Sequence, residues 1–442
     1  MTVAAERWAL ARALMSRRRL ALLAQVAGLQ SGVQALGLLA GLLLVRTLEP
    51  AQYALLTLAL SATAVATVLG DLGLSSAVTA LAGRDDLRAA GARRRWDALR
   101  VEASALQRRL FSVVVLVVAP ACAWMLWQQQ GSAVQVLGLS ALALALALLQ
   151  MRAALDAALA RLAGHVAWQQ RLELQASAGR LLAVALACTW FVDATLALAL
   201  ALAAAAFTAQ RLARWRRDWV AAEAPAAAGE ATLPSPPSQK AALRRHLLLQ
   251  GPNTLYYVLS SQFALWLVAA LGESGAVADL GALGRLAAIL ALLSAVLAAL
   301  AQPHFARQHR AAELGAALTL VHTGFAALTA ALTALALAWP AALLSLLGPH
   351  YQGLQAPLPW LVVGSTLAAW SGALYSLGCA RGWVLPPAWV VGGGLVSTAL
   401  SVACFDVSSV AGALQMTTLV AATNLAMNHV FMRQRLRALA AA

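Results

Sequence analysis

Runs of about 20 apolar residues recur along this chain from one end to the other, and a helix needs about that many to cross roughly 30 Å of hydrocarbon. Twelve are predicted, at about 20–45, 52–80, 110–127, 133–150, 173–192, 194–211, 247–271, 279–301, 315–338, 357–378, 384–404 and 408–431. Of the 442 residues, 62% are hydrophobic and 11% charged. Soluble domains average about 45–50% and about 25%, so a soluble globular protein is excluded and an all-α membrane protein is expected. The most closely spaced pairs of runs meet at Asp193 and Asp406, where one acidic residue and its neighbours interrupt a long apolar stretch. Arg17, Arg18 and Arg19 precede the first run as in a signal peptide. That run is far longer than an h-region of 7–15 residues and has no small-residue cleavage site, so it reads as an uncleaved first span. Residues 1–19, with Arg7 and Arg12, read as an interfacial helix.

A net charge of +15 would point a soluble protein toward nucleic acid. Here topology accounts for it, and no nucleic-acid partner is expected. With the N-terminus in the cytoplasm, 29 of the 32 basic residues fall on cytoplasmic flanks; Arg46 alone sits at an outer end, and Arg180 and Arg285 lie within spans. The positive-inside rule therefore puts both termini in the cytoplasm. Cys122, Cys188, Cys379 and Cys404 all lie in apolar runs, which implies neither a disulfide framework nor a zinc site.

The longest polar stretch, 212–246, holds Arg214 to Arg217 and the Pro/Ser segment Pro234 to Ser238. It reads as a cytoplasmic linker between an N-lobe (20–211) and a C-lobe (247–432), followed by a cytoplasmic tail (433–442). Six spans per lobe give the halves one orientation, hence a parallel repeat about the membrane normal. "LVRTLEPAQYALL" from Leu44 can be laid on "LVAALGESGAVADLGAL" from Leu267 in agreement with that repeat. Outer loops are too short for a catalytic domain, so no enzyme is expected. There is no Walker sequence, hence no intrinsic nucleotide drive, and no cofactor is expected. His304 and His309 have no carboxylate partner for a metal.

Polar groups inside a membrane are costly, so their arrangement guides the functional reading. In the seventh span Gln250, Asn253, Thr254, Tyr257, Ser260 and Ser261 fall on one face, which either lines a wet cavity or glues helices together. Pro252 either bends that helix or is a first-turn proline. In the first span Gln30, Gln34, Gly37 and Gly41 share one face and Gln25, Gly28 and Gly32 the opposite one, with cavity lining and helix packing as rival readings. Thr67, Asp71, Ser75 and Thr79 repeat at steps of four around Asp71, read as the one buried carboxylate and placed near the cytoplasmic interface. Arg285 lies about 9 Å inside the eighth span beside Gly281 and Gly284, facing either a cavity or outward. Arg180 is expected to snorkel to the cytoplasmic surface, with anion binding as the alternative. Asn424 and Asn428 read as helix glue.

The segment "LLLVRTLEPAQYALLTLALSATAVATVLGDLGLSSAVTALAGR" resembles the opening of the Wzx-type polysaccharide flippases of the MOP exporter superfamily, with Arg46, Glu49, Pro50, Tyr53, Asp71, Leu72 and Gly73 at the characteristic positions. "LLQMRAALDAALARLAGHVAWQQRLEL", "GALGRL", "AQPHFAR" and "LLGPHYQGLQAPLPWLVVGS" continue the resemblance, while Ala54 stands where the family has glycine. The resemblance implies about twelve transmembrane helices in two six-helix lobes around a central cavity, lined chiefly by spans 1, 2, 7 and 8. It further implies a multi-pass protein of the bacterial inner membrane that flips a polyprenyl-pyrophosphate-linked oligosaccharide for polysaccharide or lipopolysaccharide biosynthesis, with a polysaccharide polymerase as pathway partner. Arg285 and Arg46 would then meet the pyrophosphate, and Gln30, Gln34, Asn253, Thr254, Tyr257 and Ser261 the sugars, with Asp71 as a coupling or gating acid. The alternatives are another MOP exporter, either a lipid II flippase or a cation-coupled drug exporter, and a membrane oligosaccharide polymerase or glycosyltransferase.

Overall fold

The computed structural model describes residues 17–82, 91–222, 239–272, 275–289, 310–379, 381, 383 and 385–441. The interfacial helix expected at 1–19 lies outside them except for its last three residues, as do His304 and His309. The first half comprises α1 (Arg17–Thr47), α2 (Pro50–Asp71), α3 (Leu74–Ala82), α4 (Ala92–Gln128), α5 (Ala133–Leu162), α6 (Val166–Cys188) and α7 (Ala194–Ala221). The second comprises α8 (Lys240–Leu271), α9 (276–289), α10 (Ala311–Ala338), the short α11 (Pro340–Ser345), α12 (Leu358–Cys379), α13 (Pro387–Cys404) and α14 (Val410–Ala441). Ten helices among the described residues are long and apolar enough to cross a membrane. They account for ten of the twelve expected spans. The other two fall on α6, made more polar by Arg171, Glu173 and Arg180, and on α9, described only to residue 289.

Helix starts follow local chemistry. Ser132 caps α5 in a reciprocal capping box with Gln135, and Asp193 caps α7 by accepting from Leu196 N at 2.7 Å. Pro50 opens α2, where a missing N–H costs nothing. The spans pack through small residues, since lipid offers no hydrophobic force between helices. On α2, Ala59, Ala62 and Ala66 are buried, and Thr63 Oγ1 comes within 3.3 Å of Ala143 O on α5. Large side chains such as Leu116, Leu137 and Leu182 point outward instead. Trp124, Trp127, Trp190, Trp339 and Trp360 lie exposed at the helix ends opposite the basic end, as an aromatic belt at a membrane interface does.

Three expectations need correction. The second span is two helices: Leu72 at φ 40° and Gly73 at φ 84° break it, so Thr67, Asp71, Ser75 and Thr79 do not form one ridge. The 212–246 stretch enters as helix on both sides, to Ala221 and from Lys240, and the 433–442 tail continues α14 to Ala441. Asp71 is also not the one carboxylate to consider. Asp156 on α5, from a stretch read as a loop, is buried at the basic end of the first half. Arg100 Nε on α4 lies 2.8 Å from its Oδ1 and Arg216 Nε on α7 lies 3.3 Å away, while Arg216 also holds Asp97 at 2.6 Å. Burial pushes the Asp156 carboxyl above the ordinary range, and the two guanidiniums pull against that push. Trp96, Trp168, Trp215 and Trp219 pack beside this knot, with Trp215 and Trp219 stacked at 5.6 Å. The basic flanks of α4, α5 and α7 are thus one rigid extension of the bundle.

Candidate functional site

Contacts between helices run chiefly within each half, and α8 joins them along α2, α3 and α4. At the end away from the basic flanks the halves close on each other. Leu44, Val45, Leu48 and Tyr53 share one buried cluster with Val277, Leu344, Leu347 and Tyr351. Arg46 strengthens this closure: its Nε donates to Leu346 O at 3.0 Å and its Nη2 to Ser345 O at 2.7 Å, on the carbonyl end of α11 where a cation suits the helix dipole. Arg46 is therefore a clasp across the closed end and is not among the residues that line the cavity below.

That cavity, about 700 Å³, lies between the halves and is walled by α1, α2, α6, α8, α9, α12 and α14. The expected wall of spans 1, 2, 7 and 8 is present, and α6, α12 and α14 complete it. Its polar lining is Thr57, Ser61, Ser261, Gln262, Ser365 and Thr417, and its charged lining is Arg180 and Arg285 with no carboxylate among the lining residues. Arg285 is held in place by its surroundings. Its Nε donates to Tyr53 Oη at 3.1 Å, and Tyr53, fully buried, donates to Gly281 O at 3.2 Å. Gly41 lies against the guanidinium so closely that a Cβ there would stand 3.1 Å from Arg285 Cδ and 3.2 Å from Nε. The sequence GALGR thus packs α9 on α1 and α2 and aims its arginine inward.

Arg180 does not snorkel. Helix α6 begins at Val166, so Arg180 sits about 21 Å along it rather than near its start. Its Nε is buried and finds no hydrogen-bond partner among the described residues. It also borders a second cavity of about 590 Å³ inside the first half, whose lining includes Thr63, Gln150, Ser177 and Thr208 and the charged Arg161 and Glu173. The inter-lobe cavity thus carries two guanidinium groups and, among its described lining residues, no carboxylate.

Of the other sequence candidates, Ser261 lines the inter-lobe cavity, where Gln262 Nε2 donates to its Oγ at 3.1 Å. Tyr257 is exposed one turn toward the basic end of the same face, with Asn253 and Thr254 half-buried beyond it. Asn253 Oδ1 is buried without a hydrogen-bond partner among the described residues. Gln30 and Gln34 are exposed on the face of α1 that carries Gly37 and Gly41 into the cavity. Helix α8 starts at Lys240, so Pro252 is an interior proline and the first-turn reading fails. Asp71 is absorbed in the α2–α3 break, accepting from Ser75 Oγ and from Gln107 Nε2, each at 2.7 Å. Asn428 donates to Ser371 Oγ at 3.1 Å, which is the helix glue expected of it. Sequence reasoning missed Gln262 and Trp266, which join Ser61 at 2.7 and 2.9 Å across the halves. Both lie outside the polar arc counted on the seventh span.

No family model matches the chain, and no curated protein matches it either. Solved structures do. An inward-facing multidrug resistance MATE family transporter of the MOP superfamily superposes with a TM-score of 0.65 at 16% identity over 92% of this chain and 95% of its own. The lipid II flippase MurJ in an inward closed conformation gives 0.65 at 12% identity over 94% and 90%. A MOP superfamily transporter from Pyrococcus furiosus, described as having a binding pocket of reverse polarity, gives 0.62 at 16% identity over 94% of each chain. At these identities the likeness establishes the fold: a helical membrane protein built like the MOP superfamily transporters, closed at one end around a dibasic cavity.

Proposed function

We propose that the chain is a flippase that moves a polyprenyl-pyrophosphate-linked oligosaccharide across the bacterial inner membrane by alternating access. The observation that carries this reading is the cavity between the halves, whose described lining residues include Arg180 and Arg285 and no carboxylate. A cation exporter would need acids there, whereas a pyrophosphate needs guanidinium groups, each able to donate two parallel hydrogen bonds. The volume suits a compact headgroup, since small-ligand sites span about 300–1,000 Å³. Thr57, Ser61, Ser261, Gln262, Ser365 and Thr417 supply hydroxyls and an amide for sugars, and Gln30, Gln34, Asn253, Thr254 and Tyr257 extend the polar path toward the basic side. Arg46 stays outside the binding set as part of the outer closure. Likeness in fold to a lipid II flippase supports a lipid-linked cargo.

The test is surface display of the polymer in cells lacking their own polysaccharide flippase, with membrane abundance measured by blot. Display is expected from the intact chain, most of it lost in Arg285→Ala and part of it restored in Arg285→Lys. Normal display from Arg285→Ala at normal abundance would refute the assignment. Rescue instead of cells lacking their lipid II flippase would replace the polysaccharide intermediate by that substrate.

A further inference from the structure

Away from the cavity, α10, α12 and α14 converge on two histidines. Trp370 Nε1 on α12 approaches His322 Nδ1 on α10 at 3.0 Å, and His322 Nε2 approaches His429 Nδ1 on α14 at 2.8 Å. The rings border a groove of about 500 Å³ whose other walls are Thr323, Ala326, Leu367, Ala422, Leu425 and Ala426. An indole N–H can only donate, so His322 Nδ1 must be the acceptor. The proton of neutral His322 then sits on Nε2 and is donated to His429 Nδ1. The chain of bonds is directional, and both tautomers are fixed by it.

An added proton has one place to go that keeps the histidine pair together, namely His322 Nδ1. That nitrogen then becomes a donor, and two donors cannot share the contact with Trp370. A second proton would place like charges on rings whose centroids are 4.6 Å apart. Arg433, one turn beyond His429, is the charged group that acts on both rings. On α12 the nearby titratable group is Tyr375, whose ring turns to Tyr257, and α13 carries no charged residue.

We propose that His322 and His429 form a one-proton site in the second half, and that filling it releases Trp370 from α10. The incoming proton is taken from water, the N–H···N bond from Trp370 is broken, and no other bond changes. Helix α12 also walls the central cavity through Leu361, Gly364, Ser365 and Ala368, so its freedom to move reaches the binding site. In a transporter, a role that rests on the reading above, this makes one wall of the binding site responsive to acid.

The full chain, labelled with 15N in histidine and tryptophan and held in lipid nanodiscs, is titrated from pH 8 to 4 by NMR. His322→Gln and His429→Gln assign the pair among the seven histidines. At pH 8 both Nδ1 atoms should be unprotonated. On acidification His322 Nδ1 should gain its proton at the midpoint at which the Trp370 indole signal shifts. Trp370→Phe keeps the ring and removes the donor, and it should raise that midpoint by about half to one pH unit, the worth of one neutral hydrogen bond. Separate midpoints for His322 and Trp370, or an unchanged midpoint in Trp370→Phe, would overturn the site. In the display assay the dependence of the intact chain on external pH should be lost in His322→Gln at normal abundance, and an unchanged pH dependence would overturn the link to the cavity. The titration needs no cargo, so its failure and failure of the flippase reading are separate results.

Discussion

Gly41→Ala is expected to weaken transport without harming the fold, because the three atoms nearest to the added methyl all belong to the arginine that we assign to the pyrophosphate. Its Cβ would stand 3.1 Å from Arg285 Cδ, 3.2 Å from Nε and 3.3 Å from Cζ, and no other heavy atom comes as near. Those distances are tighter than ordinary van der Waals contact, so the guanidinium must move by a few tenths of an ångström. The bond from Nε to Tyr53 Oη, 3.1 Å long, is what that shift strains. Loss of such a bond is worth about 0.5–1.5 kcal/mol. At 1.36 kcal/mol per factor of ten, transport should fall by roughly 2–12-fold. Tyr53→Phe removes the same bond from its other end, so the double variant should be little worse than the poorer single one. The assay is initial-rate polymer display normalised to membrane abundance. Additive losses in the double variant, or unchanged rates from Gly41→Ala, would show that the orientation of Arg285 does not matter.

Further outcomes are expected on the same footing. Arg180→Ala should reduce display about as severely as Arg285→Ala, whereas a snorkelling residue would barely affect it; the two variants compared at equal abundance decide. Asp156→Ala should destabilise the first half by about 2–3 kcal/mol, less than the 3–5 typical of a broken buried pair because Arg216 keeps Asp97, as read from denaturant unfolding in detergent. Reporters fused after Ala442 or within 225–238 should report cytoplasm and insertions near Gly131 and Gly353 the outside, and a cytoplasmic signal at Gly353 would overturn the topology. Transport in proteoliposomes should ignore ATP and respond to an imposed potential, which acts with about 2.3 kcal/mol per charge per 100 mV.

What the sequence reveals here depends on whether a residue's role is set by its own helix or by a neighbour. Apolar length is a local property, so every expected span within the described residues found its helix, even at the Asp193 and Asp406 hairpins. There the acid itself makes the turn: Asp193 caps α7, and Asp406 Oδ1 accepts from Ser408 N at 3.2 Å. The inward turn of Arg285 was legible as one alternative because Gly281 and Gly284 sit beside it on the same helix. Arg180 was misplaced because its depth was counted from the start of an apolar run, while α6 begins seven residues earlier and its polar first turns pack inside the first half. Asp156 was missed for a related reason, since a charged stretch reads as a loop until three helices are seen to carry complementary charges side by side. Arg46 matched the family pattern by position, yet its two acceptors lie about 300 residues away in sequence, on a helix end no local signal could connect to it. The cavity combines both kinds of information. Its arginines are visible in the sequence as costly exceptions within spans, but that both face one space with no compensating acid among its described lining residues is a property of packing, and the proposed anionic cargo rests on that property.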